Sequence, residues 1–176
     1  AWIKKVLCMD LGQSWVTGRP VAHEIRGRLG ATAELALAAF ALTVILACAC
    51  GGVSALFQNR LPDIFIQGLA FLATAMPAFW LGTVLIYLFS MKLYLLPVAG
   101  RGDIRHLILP ALTLALGIAF VQANVLRAVL IRICSQDHIR FARARGLGRW
   151  MIFYRHILPG ALAPMMTLWG VSLGQL

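Results

Sequence analysis

The chain has 176 residues, of which 61% are hydrophobic and 12% are charged, with a mean hydropathy of +0.84 and a formal net charge of +10 at pH 7. A soluble domain normally carries about 25% charged and about 45–50% apolar residues, so this composition excludes an ordinary soluble domain. The positive charge requires no nucleic acid, because basic loops of membrane proteins lie beside anionic lipid headgroups.

Four long uncharged apolar blocks follow one another along the chain. Leu35–Phe57 and Leu69–Met91 each contain 23 residues, Leu107–Leu126 contains 20, and the last block is Ile157–Leu176. About 20 apolar residues in a helix cross the roughly 30 Å hydrocarbon core of a bilayer, and the blocks lack the alternation of barrel strands. We therefore predict an all-α polytopic membrane helix bundle with spans at about 32–57, 69–91, 107–131 and 160–176.

Short segments separate the predicted spans. Residues 1–31 form a polar to amphipathic lead-in, which is predicted to be extramembrane or interfacial. Gln58–Gly68 and Lys92–His106 are predicted loops, and in the first of them Pro62 is expected to stop a continuous helix. A larger polar loop occupies residues 132–159.

Prolines predict where the helices are irregular. Pro77 lies inside the second block, so a kink or break is expected near Met76. Pro110 is expected in the first turn of the third span, where its missing N–H has no consequence. Pro159 and Pro164 are expected to interrupt the chain as it re-enters the membrane.

The segment Ile139–Pro164 has the most informative pattern, because it places arginines and glycines between two apolar segments. Four residues fall near one helical face: Ile139, Ala142, Gly146 and Trp150. Small residues such as Ala144 let a partner approach closely, and surrounding arginines supply forked donors for carboxylates or carbonyl oxygens. A basic helix held at the lipid surface has the same pattern, so the residues alone leave docking and anchoring open.

The histidines, the cysteines and the distribution of Lys and Arg give no further evidence for a site or an orientation. The four histidines show no ligand spacing, and the four cysteines contain no C-x-x-C pair, so no metal site is predicted. The positive-inside rule assigns no orientation, because one side would carry eight Lys and Arg and the other seven or eight.

The polar loop resembles the cytoplasmic signature of permease subunits of bacterial ABC importers. The family pattern is E-A-A, three residues, G, nine residues, I-x-L-P. With its glycine at Gly146, the second alanine falls on Ala142 and the L-P pair on Leu158–Pro159, which all match. Three positions depart from the pattern: Arg140, Phe141 and His156.

These departures are similar to the dipeptide, oligopeptide and nickel branch of the family, whose members carry an A-R-A-[KR]-G-L core. Four further segments resemble that branch in the same order: Asp10–Val21, Ala31–Ala39, Met76–Gly82 and His106–Leu116. Gly30 stands where the family usually has proline. Within the branch, Arg60–Asp63 and Arg155–Thr167 look most like nickel or metal-chelate permeases.

The resemblance implies a permease of the type I ABC importer kind, which forms a pathway for nickel or metal chelates or for di- and oligopeptides in the bacterial inner membrane. The implied partners are two ATP-binding subunits, a second permease subunit of the same or a different kind, an extracytoplasmic substrate-binding protein and the lipid bilayer, with no nucleic acid. The chain has no G-x-x-x-x-G-K-[ST] motif. ATP hydrolysis is therefore expected on a partner, and no enzymatic activity, cofactor, catalytic residue or metal site is predicted.

The resemblance also implies roles for individual residues. The helix at about Ala142–Leu147 would sit in a groove of the ATPase, and Pro77 is a candidate for shaping the pathway through its kink. The implied ATPase-coupling residues are Arg140, Ala142, Arg143, Ala144, Arg145, Gly146, Leu147, Leu158 and Pro159.

Family topology would place residues 132–155 and 58–68 in the cytoplasm, and residues 1–31 and 92–106 in the periplasm. The chain opens on Ala1 rather than Met and stops inside its fourth block. It is therefore expected to be the middle of a longer permease of six spans, without the first and the final helix.

Two other classes of membrane protein were weighed. An ion-coupled secondary transporter usually places ionisable groups near the membrane midplane, whereas the first three blocks contain only Gln122 and Asn124 as strong polar candidates. A membrane enzyme needs a nucleophile, an acid–base pair or a metal cluster, and no such group of residues is recognisable. Dependence of transport on ATP separates the importer from both alternatives.

Overall fold

The computed structural model describes residues 11–100 and 102–176, apart from the side chain of Arg149. The chain divides into two compact units, Ala1–Leu37 and Ala38–Leu176. In the described part of the first unit, a turn is closed by an antiparallel bridge between Gln13 and Pro20, and a helix begins directly after it at Val21.

The described residues form helices joined by short turns. Helices α1, α2 and α3 are Val21–Leu56, Leu61–Ala75 and Ala78–Leu85, and α3 continues as a π-helical stretch, Ile86–Lys92. Helices α4, α5 and α6 are Ile104–Cys134, Asp137–Ala144 and Arg149–Ile152. A second π-helical stretch, Phe153–Ile157, leads into α7, Leu158–Gln175.

Among the described residues, three helical segments are long and apolar enough to cross a membrane: α1, α4 and Trp150–Gln175. The pair Leu61–Ala75 and Ala78–Lys92 passes the same test together, with a bend of 113° between its two parts. The predicted all-α polytopic fold is therefore confirmed. The first helix begins at Val21 rather than near residue 32, because Gly27 and Gly30 in the predicted lead-in are accommodated within it.

Helix α4 is the helix around which the second unit is packed, since it contacts α2, α3 and α7. Its buried alanines recur at every fourth position: Ala111, Ala115, Ala119 and Ala123. Small residues at this spacing allow close approach of membrane helices. A Cβ atom at Gly51 of α1 would lie 2.7 Å from the carbonyl oxygen of Ala123, so the two backbones nearly touch there.

The prolines near the helix starts give two different outcomes. No continuous helix runs through Pro62, since α1 ends at Leu56 and α2 begins at Leu61. Pro62 itself lies in the first turn of α2, where its missing N–H would have no helical partner anyway. The predicted loop Gln58–Gly68 is therefore helical from Leu61 onward. Pro110 lies inside α4, beyond the first turn where it was expected.

Pro159 and Pro164 do not interrupt the chain as predicted. Pro159 lies in the first turn of α7 and Pro164 in its interior. A proline ring in a helix clashes with the carbonyl group four residues earlier, which is that of Arg155 for Pro159. The π-helical stretch Phe153–Ile157 widens the backbone at this position, and the helix passes through both prolines.

Candidate functional site

Helix α5 lies beyond the end of α4 and is amphipathic. Asp137 is in its first turn and Arg143 in its last turn, where each charge complements the helix dipole. On the inner side, Ile139 is 0% exposed and Ala142 is 5% exposed. The helix therefore has one face packed against the protein and one face open to a partner.

The end of α5 gives a physical reason for the A-R-A-R-G-L pattern. Gly146 has a φ of +76°, and its N–H donates to the carbonyl oxygen of Arg143 at 3.0 Å. The N–H of Leu147 donates to the carbonyl oxygen of Ala142 at 3.3 Å. These two bonds around a left-handed residue are the Schellman arrangement that terminates helices. Gly146 ends the helix here, so the prediction that it shares a helical face with Ile139 and Trp150 is wrong.

We call the outer surface of α5 the exposed residues Arg140, Phe141, Arg143 and Ala144 together with Arg145 directly after the helix; Asp137 and His138 in the first turn are exposed as well. Phe141 is 70% exposed and places a large apolar side chain among these arginines. The arginines supply forked donors to carboxylates and carbonyl oxygens, and Arg140 lies 3.5 Å from Asp137. An apolar side chain within a basic surface is suited to a protein partner with an acidic, partly apolar groove.

Two of the predicted ATPase-coupling residues lie on the inner side of α5. Ala142 is buried, and Leu147 is half-buried against the hydrophobic cluster beneath α5. The sequence interpretation missed Phe141, because it treated this position only as a departure from the family pattern. At about 100° per residue, Phe141 lies about 200° around the helix from Ile139, so helical spacing alone would have found it.

A hydrophobic cluster attaches α5 to the membrane helices. Its buried members come from α4, α5, α6 and α7, and they are Leu126, Val129, Ile133, Ile139, Ala142, Ile152, Ala161 and Met165. Gly160 of α7 permits close contact, since a Cβ atom there would lie 3.0 Å from Cδ1 of Ile133. Because α4 and α7 both contribute, the cluster joins α5 to two candidate spans.

The predicted re-entry residues lie at the start of α7, where Leu158 is half-buried and Pro159 is exposed. An exposed aromatic group precedes them. Trp150 stacks on Tyr154 with ring centroids 6.2 Å apart, and Phe153 meets Tyr154 edge-on at 5.3 Å. Trp and Tyr favour the boundary between lipid and water, so this group fits the membrane interface next to α5.

Pro77 lies at the bend of the second candidate span. Helix α2 ends at Ala75, Met76 is extended with a φ of −93° and a ψ of 136°, and α3 begins at Ala78. A proline forces the preceding residue out of the helical region, which explains the 113° bend at this point. Beyond the bend, a Cβ atom at Gly82 would lie 3.1 Å from Thr113 of α4, so α3 packs closely on α4.

A buried ion pair connects α2 to α4. Arg127 Nε donates to Asp63 Oδ1 at 2.8 Å, and Arg127 Nη2 donates to Asp63 Oδ2 at 2.6 Å. The hydroxyl of Ser54 donates to Oδ1 of Asp63, and the N–H of Asn59 donates to its Oδ2 at 2.8 Å. Asp63 is 3% exposed. Removing one partner of such a pair would leave the other charge without its counter-ion.

The sequence interpretation did not identify this pair. Asp63 and Arg127 are 64 positions apart, and no local periodicity links two such residues. The only available signal was that Arg127 directly follows the uncharged block Leu107–Leu126, where an arginine inside a helix of this kind needs a partner.

Further polar contacts join the helices. The Gln122 amide nitrogen donates to the Ser172 hydroxyl, which links α4 to α7, while Gln122 Oε1 is buried without a hydrogen-bond partner among the described residues. The rings of His138 and His156 lie 6.0 Å apart although they belong to different segments. Among the residues the structure describes, no group of three or more His, Cys, Asp or Glu side chains could hold a metal ion.

The sequence matches a known family over most of its length. Residues 43–176 correspond to the family described as "Binding-protein-dependent transport system inner membrane component". This match includes α2 to α7 in full and most of the apolar part of α1.

Curated relatives cover the chain almost completely. It is 37% identical to the glutathione transport system permease protein GsiC of Escherichia coli strain K12 over 175 residues, which is 99% of this chain and 57% of the relative. The same permease of Shigella dysenteriae serotype 1 has the same identity and coverage. The probable D,D-dipeptide transport system permease protein DdpB of Escherichia coli K12 is 37% identical over 95% of this chain and 58% of its own length. The chain thus spans a little over half the length of these relatives.

Proposed function

Because the chain belongs to the family of inner membrane components of binding-protein-dependent transport systems, we propose that it forms part of the translocation pathway of an ATP-driven importer of small peptides. In this proposal it acts with a second permease subunit, two ATP-binding subunits and an extracytoplasmic binding protein. Its helices supply the pathway and its partners supply the energy of ATP hydrolysis.

The outer surface of α5 is the observation that carries the proposal. It presents Phe141 and Ala144 between exposed arginines, while Ile139 on the opposite face is completely buried. A helix that served only as a lipid anchor would place its apolar face in the membrane and its arginines in water. Here the inner face is already occupied by the hydrophobic cluster, so exposed Phe141 is available to a protein partner.

The ion pair supports the proposed orientation. Asp63, near the start of α2, contacts Arg127 in the last third of α4, and α5 begins shortly after α4 ends. The turn between α1 and α2 therefore lies at the same end of the bundle as α5. This agrees with a cytoplasmic location for both segments and with an ATPase beneath them.

For the substrate, we place peptides before nickel or metal chelates. Two of the relatives are named for glutathione and for D,D-dipeptides, and both are short peptides or peptide-like molecules. The nickel interpretation rested on the segments Arg60–Asp63 and Arg155–Thr167. In the structure, Asp63 is engaged by Arg127 and Ser54, which gives that segment a structural role independent of the substrate.

Uptake into proteoliposomes tests the proposal. The full-length permease is reconstituted with its partner permease, ATP-binding subunits and binding protein, and the probes are labelled glutathione, D-alanyl-D-alanine and a nickel–histidine chelate. We expect a peptide probe to accumulate. This accumulation should require ATP on the membrane side where the ATP-binding subunits lie. Accumulation of the nickel chelate alone would refute the peptide assignment.

The same assay separates the importer from an ion-coupled secondary transporter. Such a transporter needs an ionisable group that can exchange its ion or proton. Both carboxylate oxygens of Asp63 already accept hydrogen bonds from Arg127, Ser54 and Asn59, which disfavours it as an exchangeable site. Uptake driven by an ion gradient without ATP would nevertheless overturn the importer assignment.

A further inference from the structure

One turn of α4 bears two different attachments. Leu126 and Val129 belong to the hydrophobic cluster that also contains Ile139 of α5. Arg127, which lies between them in sequence, forms the ion pair with Asp63 of α2. This turn thus contributes to the cluster that extends to α5 and is also bonded to α2.

The polar attachment has a fixed geometry. Asp63 accepts hydrogen bonds from two nitrogens of Arg127, from the hydroxyl of Ser54 at the end of α1 and from the N–H of Asn59 between the helices. Forked contacts between arginine and a carboxylate set orientation as well as distance. Apolar residues of similar volume often stabilise a fold equally well, and a register or switching role is the best-attested use of a buried pair.

Apolar packing between α1 and α4 is incomplete at this end of the bundle. A cavity of about 340 Å³ lies beside the polar contacts, lined among others by Ala55 and Gln58 on the side of α1 and by Ile131 and Cys134 on α4. One turn away, at Gly51, α1 and α4 are in close contact, so it is only at the ends of these helices that apolar packing leaves the position of α4 to the polar contacts. The contacts of Asp63 connect the end of α1 and the start of α2 to α4 across this region.

We propose that Asp63 and Arg127 are positioning residues that make α5, α4 and the turn between α1 and α2 move as one rigid unit. A displacement of α5 by an ATP-binding subunit would then reach the first two spans at full amplitude. This inference rests on the proposed function, since it assigns the path by which the movement of α5 is transmitted.

One distance measured in two nucleotide states tests the inference. The full-length permease, with its native cysteines replaced, is assembled with its partner permease and ATP-binding subunits in lipid nanodiscs. Spin labels are attached to cysteines introduced by Ile64→Cys on α2 and His138→Cys on α5, both exposed positions, and unlabelled permease is added so that one labelled copy is present per assembly. The distance is measured by electron paramagnetic resonance without nucleotide and after trapping with ATP and vanadate.

In the protein with the intact ion pair, we expect the same distance in both states. With Asp63→Asn, we expect it to differ between the states by about 2 Å or more, the scale of helix shifts in switching proteins. Arg127→Lys keeps the charge and loses the fork, so an intermediate difference is expected, and this variant supplies the comparison if Asp63→Asn does not insert. Glu24→Gln, which removes a charge from the exposed contacts with Arg19 and Arg28, is the matched control.

Two results would overturn the inference. One is a distance that changes with nucleotide while the ion pair is intact, and the other is a distance that stays constant in both ion-pair variants. In a parallel preparation of each variant, a cysteine at Ala144 replaces the two labelled cysteines, and its cross-linking to the ATP-binding subunit is recorded. Loss of that cross-link throughout would instead show that the proposed function has failed.

Discussion

The N–H of Leu147 donates to the carbonyl oxygen of Ala142 at 3.3 Å, across the turn that ends α5. Both residues lie on the inner side, where Ala142 is buried and Leu147 packs against the hydrophobic cluster. Arg143, Ala144 and Arg145, which lie between them in sequence, are therefore exposed on the outer surface of α5. The glycine of the family pattern thus terminates the helix, and the leucine after it holds the end of the helix to the membrane helices.

Gly146→Ala should weaken docking through the backbone alone. A Cβ atom at Gly146 would meet nothing within 4 Å, but its φ of +76° is left-handed, which costs an alanine about 1–2 kcal/mol. Asparagine tolerates this conformation better, so Gly146→Asn should lose less. The amount of ATP-binding subunit that copurifies with the permease measures the effect.

Gly148→Ala is the matched control for this comparison, because a Cβ atom there also meets nothing within 4 Å and the residue has no positive φ. Equal copurification for Gly146→Ala and Gly148→Ala would show that the left-handed turn is not required.

Ile139→Ala and Phe141→Ala should affect two different properties. The first should weaken the attachment of α5 to the membrane helices, and the second should weaken docking of the ATP-binding subunit. Ile139 is completely buried, so its truncation should cost about 2–5 kcal/mol and lower the midpoint of thermal unfolding of the purified permease. Phe141 is 70% exposed, so its truncation should change stability by no more than about 0.5 kcal/mol and should weaken binding of the ATP-binding subunit. If Phe141→Ala bound that subunit normally, the outer surface of α5 would not be the docking surface.

Gly51→Ala and Gly52→Ala should differ sharply although the residues are neighbours. A Cβ atom at Gly51 would lie 2.7 Å from the carbonyl oxygen of Ala123, whereas one at Gly52 would meet nothing within 4 Å. Overpacking at Gly51 should cost about 1–3 kcal/mol, while Gly52→Ala should be neutral or stabilise the helix by up to about 1 kcal/mol. Thermal unfolding in detergent measures both, and similar midpoints would contradict the close contact of α1 with α4.

Pro77→Ala should impair transport while leaving the ATP-binding subunit bound. Alanine restores an N–H at the bend and removes the constraint on Met76, so the 113° break should straighten in part. Pro164→Ala is the control, because Pro164 lies within the continuous helix α7. Uptake of the peptide probes by proteoliposomes is the readout, and unchanged uptake for Pro77→Ala would reduce Pro77 to a packing role.

Local patterns in the sequence predicted the local features of the structure. Uninterrupted apolar length predicted the all-α polytopic fold, and helical spacing placed Ile139 and Ala142 on one face. The same spacing failed at Gly146 and Trp150 because α5 ends at Ala144. Periodicity carries no information beyond the end of the helix in which it arises.

Contacts between distant segments could not be predicted in this way. The partners Asp63 and Arg127 belong to different helices, and their pairing depends on how α2 packs against α4. For Pro159 the error is of the other kind, because the residue pattern predicts an interruption that the structure does not have. Pro159 was expected to interrupt the chain, but the wider turn before it lets the helix continue, and a turn of this kind follows from the backbone rather than from a residue pattern.

Cysteine cross-linking at Ala144 tests the central claim most directly. The full-length permease, with Cys134 and its other native cysteines replaced, carries Ala144→Cys on the outer surface of α5 and is studied in membranes with its ATP-binding subunit. We predict a specific cross-link to that subunit whose yield changes when ATP is added. If no cross-link forms while the permease is inserted and the ATP-binding subunit is present, α5 is a lipid-surface anchor and the importer assignment fails.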